Sequence, residues 1–233
     1  MKFRHELKYL INYGDAELIK QRLKTVLKTD MHAQNGNYHI RSLYFDDYWN
    51  TAYIDKVNGV DRRKKYRIRL YDLNDNFIRL ECKIKNGSYI SKISAPLTSE
   101  ETEKILNGDY GFLLHRESEL CQQFYYECVA KVMRPKVYVD YEREPYVMEE
   151  GDVRITFDSD VRGAYTGYSI AEKDIPFHYV LEPGKLIMEV KFTEFLPKLV
   201  QDVLPVRAAE LSAVSKYMLC CDTINYMYAD DAE

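Results

Sequence analysis

The sequence predicts an α+β protein built on an antiparallel sheet that closes into a β-barrel, with flanking helices and a C-terminal helix. Several strand-like segments alternate apolar with charged residues, and this period of two puts the two kinds on opposite faces of a strand. Helix-like segments lie between these strands and at the end of the chain, without an internal repeat or a linker. A chain of 233 residues can bury a full core and fits one large domain or two small ones; because no linker divides it, we expect a single domain over residues 1–233.

The clearest alternation lies in YRIRLYDLNDNFIRLECKIKNG, residues 66–87. Its charged residues are two apart within each half: Arg67 and Arg69, then Arg79, Glu81, Lys83 and Lys85. An Asn/Asp-rich turn joins the halves, which predicts an antiparallel hairpin. Such a charged face is often simply solvated. A solvated face usually mixes Thr, Ser, Gln and Asn with its charges, whereas this one is nearly all long cations, which favours a binding surface.

Other strand-like segments repeat the pattern. Charged or polar residues share one face of each: Arg4, Glu6 and Lys8 in RHELKYLI, Arg154, Thr156, Asp158 and Asp160 in RITFDSDVR, and Glu189 and Lys191 in LIMEVKF. Closing the sheet would turn the apolar faces outward under the helices and bring the ionic faces around a tunnel. Cations in such a low-dielectric cavity bind polyanions, and carboxylates among them offer a divalent metal hard oxygen ligands.

The predicted elements follow in chain order. Strands are expected at 5–11, 38–47, within the hairpin 66–87, and at 89–97, 134–147, 153–162 and 185–192; helices are expected at 14–30, 98–108, 116–131 and 204–228. Asp15 is the expected cap of the first helix. Thr98 and Glu101 have the spacing of a capping box, and Gly108 follows the end of the same helix.

The composition excludes several classes of protein. The formal net charge of −4 argues against a nucleic-acid binder with a broad basic surface. No apolar run approaches the roughly 20 residues of a membrane span, and the start MKFRHELKYLI does not read as a signal peptide. Five cysteines without C-x-x-C spacing indicate reduced thiols in a cytoplasmic protein. Phosphate-binding glycine loops, a G-x-S-x-G elbow and paired metal-binding histidines are absent from the sequence, which leaves electrostatic positioning plus a metal as the expected chemistry.

Taken in order, eight segments resemble the VTC-type polyphosphate polymerase domain of the triphosphate tunnel metalloenzyme (CYTH-like) superfamily. They are RHELKYLI, IRSLYFDD, YRIRLY, LECKIK, RPKVYVDYEREPY, RITFDSDVR, LIMEVKF and VRAAELSAVSKYMLC, spread over residues 2–222. The resemblance implies a metal-dependent transferase that adds the γ-phosphate of ATP to a growing polyphosphate chain in a basic tunnel. It also implies a divalent cofactor, Mn²⁺ or Mg²⁺, with ATP or another nucleoside triphosphate and polyphosphate or pyrophosphate as ligands. A membrane-protein partner for product export would leave no mark in this sequence.

The resemblance also implies site residues, carried over motif by motif. Lys8, Arg67, Arg69, Lys83 and Lys216 would act in catalysis, and Arg41, Arg143 and Arg154 would bind phosphate. Lys92 is carried over across a loop of variable length, and Glu189 would hold the metal. Strand parity alone adds Lys191 as a phosphate ligand and Glu6 and Glu81 as further metal ligands.

Each role has a structural alternative. Arg143 and Arg154 could form ion pairs with neighbouring carboxylates, Lys216 could be a solvated helix residue, and Glu189 could neutralise a buried cation. Function has alternatives too: a tunnel-fold triphosphatase acting on triphosphate or nucleotides, and a module that binds polyphosphate without turnover. Hydrolytic members of the fold open with E-x-E-x-K, whereas this chain has Arg4, Glu6 and Lys8, and one carboxylate fewer favours the polymerase.

Overall fold

A computed structural model describes residues 4–31, 33, 36–87, 89–204, 210–211 and 214–230. Its strands are β1 (His5–Asn12), β2 (Lys28–Thr29), β3 (Tyr38–Asp46), β4 (Arg62–Tyr71), β5 (Ile78–Asn86), β6 (Tyr89–Leu97), β7 (Arg134–Met148), β8 (Val153–Ala164), β9 (His178–Tyr179), β10 (Lys185–Phe192) and β11 (Glu210–Leu211). Its α-helices are α1 (Tyr13–Leu23), α2 (Thr51–Val57), α3 (Ser99–Leu106), α4 (Glu119–Ala130), α5 (Lys198–Val203) and α6 (Lys216–Asp230).

All strand pairs are antiparallel and form one sheet in the order β11-β1-β10-β8-β7-β3-β4-β5-β6, with β2 paired to β7 and β9 to β8. A single antiparallel bridge, between Arg4 and Ile90, links the β1 end of this path to β6. Within the described ranges, hydrogen-bonded pairing does not close the sheet. The predicted α+β class with a large antiparallel sheet is confirmed, while closure into a barrel is not shown.

One face of the sheet is apolar and covered by helices. Strands β3 to β6 pack their apolar side chains against α3 and α4, where Phe124 is fully buried. Strands β1, β7, β8 and β10 do the same against α1 and α5, with Ile19 and Val200 as helix contributions. The strand alternation predicted this separation, because every second residue of each strand faces the same layer.

The opposite face is part apolar and part ionic. Its apolar part, which includes Ile40, Val139 and Ile187, packs against Tyr217 and Cys220 of α6. This helix approaches β8 so closely that a Cβ on Gly163 would lie 2.9 Å from the Cβ of Cys220. Helix α6 therefore occupies one part of this face and leaves the ionic part beside it.

Local capping explains where two helices begin. The Thr98–Glu101 capping box of α3 is present with both of its hydrogen bonds, as predicted. Helix α1 begins differently: the Asn12 side chain accepts from the Asp15 backbone N–H, so Asn12 is the cap and Asp15 lies in the first turn. The helix ends at Leu23, and not at residue 30, because β2 follows and pairs with β7.

The end of the chain differs most from its prediction. The helix expected over 204–228 begins only at Lys216, since β11 pairs with β1 at Tyr9 and Leu10 and interrupts it. Residues 205–209 and 212–213 of that prediction lie outside the described residues. Helix α2 was not predicted. None of the described helices is long and apolar enough to cross a membrane. All five cysteines are buried and unpaired, as expected.

Candidate functional site

The ionic part of the sheet face borders a cavity of about 620 Å³ beside the start of α6. Its lining is rich in cations: Lys8, Lys56, Arg63, Lys65, Arg67, Arg69, Lys83, Lys85, Arg143, Lys191 and Lys216. Two carboxylates, Glu6 and Glu189, and three tyrosines, Tyr44, Tyr141 and Tyr217, also line it, together with His5 and Ser215. A cavity of this charge is suited to a polyanion.

Strand register brings these side chains together. Lys8 lies opposite Glu189 across β1 and β10, and Lys65 lies opposite Lys83 across β4 and β5. Directly opposed residues of an antiparallel pair project from the same face. Because paired strands place their charged residues on the same face, the charges of neighbouring strands accumulate on one side of the sheet.

Glu189 is the most heavily neutralised group of the cavity. Its Oε1 lies 3.0 Å from Lys216 Nζ and 3.4 Å from Lys8 Nζ, while its Oε2 lies 2.9 Å from Lys191 Nζ and 3.7 Å from Arg143 Nη2. Burial by itself would raise the pKa of this carboxyl group, but Lys191, Lys216, Lys8 and Arg143 together hold it well below its usual range. Glu189 is therefore ionised and surrounded by cations.

Glu6 forms a second, smaller centre. Lys83 Nζ donates to both of its carboxylate oxygens at 3.0 Å, and Lys8 Nζ lies 3.3 Å away. Lys8 thus bridges the two carboxylates of the cavity. Burial lowers the pKa of Lys83 to about 8 although Glu6 opposes that shift.

Asp158 is a buried carboxylate that holds cationic side chains of the cavity in position. It accepts a two-pronged hydrogen bond from Arg143, at 2.6 Å from Nε and 2.7 Å from Nη2, and it also contacts Lys216. Arg143 therefore forms the ion pair with a neighbouring carboxylate that the sequence allowed, and because Asp158 is fully buried this pair lies in the interior of the protein. It fixes the guanidinium of Arg143 beside Glu189.

The two arginines of β4 differ in their partners. Arg67 is held by Glu81, 2.8 Å from its Nε, and by the hydroxyl of Tyr44 at 2.7 Å. Arg69 donates to the Ser42 hydroxyl at 2.9 Å and the Tyr141 hydroxyl at 3.1 Å, and no described carboxylate lies within ion-pair distance of it. Neutral partners orient the Arg69 fork without neutralising its charge, which leaves it suited to bind phosphate oxygens.

Three lining cations lie outside all the predicted strands and helices: Lys56, Arg63 and Lys65. Arg63 and Lys65 continue the alternation of Arg67 and Arg69 toward the start of β4, so extending that strand by four residues would have found them. Lys56 lies on α2, and no pattern in the sequence signalled it. Lys85 belonged to the alternating stretch and also lines the cavity.

Arg41 does not reach this cavity. Ser42, and not Arg41, lies opposite Arg69 across β3 and β4, so Arg41 projects from the helix-covered face. There it donates to Asp140 at 2.9 Å and to the carbonyl oxygen of Ile170 at 3.2 Å, and it lines a separate pocket. Its placement in a shared tunnel was wrong, because the parity of one strand is fixed by its neighbours and cannot be read from that strand alone.

Arg154, Lys92 and Glu81 share the face of the cavity by register but are not among the described residues that line it. Arg154 contacts Asp30 at 2.8 Å and the Tyr38 hydroxyl at 2.9 Å. Lys92, nearly half exposed, lies 2.6 Å from Glu81 Oε1. Glu81 is thus a counterion of Arg67 and Lys92.

The carboxylates of the cavity decide whether a divalent cation could bind there. Among the described residues, no group of three or more His, Cys, Asp or Glu side chains is arranged to hold a metal. Glu189 and Glu6 nevertheless present hard oxygen donors inside a cation-rich cavity. That donor set fits Mg²⁺ or Mn²⁺, which take most of their ligands from water and phosphate and need few carboxylates. Glu189 and Glu6 are the residues that would hold such an ion.

Comparison with known proteins adds three findings. A family model described as the VTC domain matches residues 3–225. One similar structure is that of a Hippeastrum protein described as a candidate adenylyl cyclase with a dominant triphosphatase activity. It is 15% identical to this chain, and the two superpose with a TM-score of 0.56 over 96% of each chain. A candidate adenylate cyclase from Vibrio parahaemolyticus is 11% identical, with a TM-score of 0.52 over 94% of this chain and 98% of that one. At such identities the likeness shows a shared fold. No significant match was found among curated proteins.

Proposed function

Since the chain belongs to the VTC domain family, we propose that it is a single-domain polyphosphate polymerase that transfers the γ-phosphate of ATP onto a growing polyphosphate chain. The family membership expected from the sequence is confirmed. The polymerase activity, the metal dependence and closure of the sheet around a tunnel are parts of the proposal.

The observation that carries the proposal is the charge of the cavity. Eleven lysines and arginines and two glutamates line it, in a chain whose net charge is −4. These cations lie together in a concave site, which concentrates their field on whatever enters. A linear polyphosphate carries about one negative charge per phosphate and would offset it along its whole length.

The side chains suggest a division of labour. Arg69, oriented by Ser42 and Tyr141, and Arg67 would bind phosphate oxygens through their forks. Lys216 and Lys8 would neutralise charge that develops on the transferred group. Arg143, which Asp158 holds in position through hydrogen bonds, would do the same. A divalent cation held by Glu189 and Glu6 would supply further charge neutralisation to the phosphates. Catalysis would rest on alignment and electrostatics, as phosphoryl transfer requires.

A triphosphatase is the alternative that shares this geometry, since a triphosphate would fit the same cations. Arg4 helps to distinguish the triphosphatase from the polymerase. It stands where the hydrolytic members carry their first glutamate, it pairs with Asp152 at 2.8 Å, and it is not among the described lining residues. The cavity thus has one acidic ligand fewer for a metal, which favours transfer over hydrolysis. The third candidate function is a module that binds polyanions without turnover.

Incubation with ATP and Mn²⁺, followed by a gel stained for polyphosphate, distinguishes the three. We expect a ladder of chains. Orthophosphate without chains would support the triphosphatase, and retained polyphosphate without product would support the binding module. Lys216→Met should abolish the ladder, whereas Lys64→Met, on an exposed side chain of β4 that faces away from the cavity, should not.

The five unpaired, buried thiols support a cytoplasmic location.

A further inference from the structure

Lys65 differs in its surroundings from Lys8, Lys83 and Lys216, three other lysines of the cavity. It projects from β4 opposite Lys83 of β5, and its Nζ lies 4.3 Å from the centre of the Tyr217 ring. No described carboxylate lies within ion-pair distance of it. Lys8, Lys83 and Lys216, by contrast, each contact Glu6, Glu189 or Asp158.

Every charged group that acts strongly on Lys65 is a cation. Lys8 of β1, Lys83 of β5 and Arg63 of its own strand all repel its ammonium form, and Lys56 of α2 lines the same cavity. Helix α6 contributes Tyr217 and Cys221, which do not compensate because burial raises the pKa of each, that of Cys221 to about 12. Both are therefore neutral near pH 7.

A buried lysine without a counterion releases its proton readily. Burial first, and then Lys8, Arg63 and Lys83, lower the pKa of Lys65 to about 7. Near neutral pH the side chain therefore exists as amine and ammonium in comparable amounts.

We propose that Lys65 is a polyphosphate-binding residue that takes up one proton from solvent when the anion enters the cavity, and releases it when the anion leaves. The proposal rests on the proposed function, in that the cavity takes a polyphosphate. An anion beside Lys65 supplies the counterion that the protein lacks, so the ammonium form is favoured in the complex. The amine Nζ gains the proton as the phosphate oxygens arrive, and no other bond changes.

The sign of the pH effect follows. By about pH 6, Lys65 is almost fully charged and its contribution to affinity is nearly constant. Above pH 7, binding must first protonate the amine, so the Lys65 contribution to affinity falls by about fivefold between pH 7 and 8 and by about tenfold per unit beyond, until the pKa in the complex is reached.

Calorimetry of tripolyphosphate binding without metal, in buffers of different ionisation enthalpy, measures proton uptake directly. At about pH 8, the wild type should take up roughly 0.9 proton more than Lys65→Arg, whose guanidinium stays charged. Titration of tripolyphosphate itself is common to all variants and cancels in this difference. Lys65→Met should bind more weakly than the wild type at about pH 6, and this difference should shrink as the pH rises to about 9.

Lys64→Arg is the matched control, because Lys64 is exposed and faces away from the cavity. Its proton uptake should equal that of the wild type. Equal uptake by Lys65→Arg and the wild type would overturn the role of Lys65 while leaving the polyphosphate site intact. Absence of tripolyphosphate binding in the wild type would overturn the proposed function itself, and the role of Lys65 with it.

Discussion

Lys216 Nζ, at the first residue of α6, lies 3.0 Å from Glu189 Oε1 on β10. The same ammonium contacts Asp158 on β8, so one side chain ties the helix to two neighbouring strands. All three groups are buried. Because an unpaired charge at such a depth is costly, each member of this network depends on the others.

Replacing Glu189 by Gln should therefore affect both stability and turnover. The side-chain size is kept, but Lys8, Lys191 and Lys216 lose a shared counterion, and loss of a buried partner costs on the order of 3 kcal/mol. Tripolyphosphate should restore more stability to this variant than to the wild type, because the anion replaces the missing charge. Polymer synthesis should fall by orders of magnitude if Glu189 also holds the metal. Thermal unfolding with and without tripolyphosphate, and the polyphosphate gel, measure these effects.

Glu100→Gln serves as the control, since Glu100 is an exposed residue of α3 that pairs with Lys104. Its unfolding temperature should change little, with or without ligand. Glu189→Gln with wild-type turnover would move the metal elsewhere, with Glu6 as the next candidate.

Arg69→Lys tests whether the guanidinium fork matters beyond its charge. Lysine keeps the positive charge but cannot donate to Ser42, Tyr141 and a phosphate in one plane, so tripolyphosphate binding should weaken by about tenfold or more. Arg154→Lys is the comparison, because Arg154 engages Asp30 and Tyr38 and is not a described lining residue. It should bind tripolyphosphate like the wild type. Equal effects of the two exchanges would mean that the arginines act as diffuse charge.

Much of the site could be predicted from strand parity. Arg67, Lys83 and Glu189 lie on one face because alternation is a local property of each strand and pairing preserves it. Arg41 shows the limit: its own strand contains polar residues of both parities, and only the pairing of Ser42 with Arg69 decides which face is ionic. Lys56 was beyond such reasoning, since it reaches the cavity from a helix that was not predicted.

The helix prediction for residues 204–228 failed for another reason. The stretch 204–228 is rich in Ala, Leu and Met, which favour helix. Tertiary contacts prevailed over propensity, because Glu210–Leu211 pairs with β1 and the helix starts only at Lys216. This start is what places Lys216 beside Glu189.

Acid should destabilise the protein partly through Glu81. This carboxylate is buried against Arg67 and Lys92; burial alone would raise its pKa, but these cations and Arg69 lower it well below the ordinary 4.5. Its ionised form therefore stabilises the fold above about pH 4.5, and this contribution is lost as the pH falls further toward the folded-state pKa. Glu81→Gln should be less stable than the wild type at about pH 6, and the difference should shrink by about pH 3. Urea unfolding across this range measures it, and a difference independent of pH would contradict the assignment.

Gly163→Ala should displace α6 from the sheet. The added Cβ would lie 2.9 Å from the Cys220 Cβ and 3.2 Å from its Cα, so backbone must move and not merely a side chain. We expect a loss of about 1–3 kcal/mol in urea unfolding. Because Lys216 lies one turn before Cys220, tripolyphosphate affinity should fall as well.

Two further variants separate this packing effect from a general cost of substituting glycine. Gly111→Ala adds a Cβ whose nearest neighbour is 3.9 Å away, at Asp109 Oδ1, and should leave both stability and affinity nearly unchanged. Cys220→Gly costs about 1 kcal/mol of helix stability by itself, but it removes the atom that a Cβ at position 163 would meet. The double variant should therefore be more stable than the sum of the two single losses predicts, by more than about 0.5 kcal/mol. Additive losses would show that α6 tolerates the extra methyl group and that the close approach at Gly163 does not set the position of Lys216.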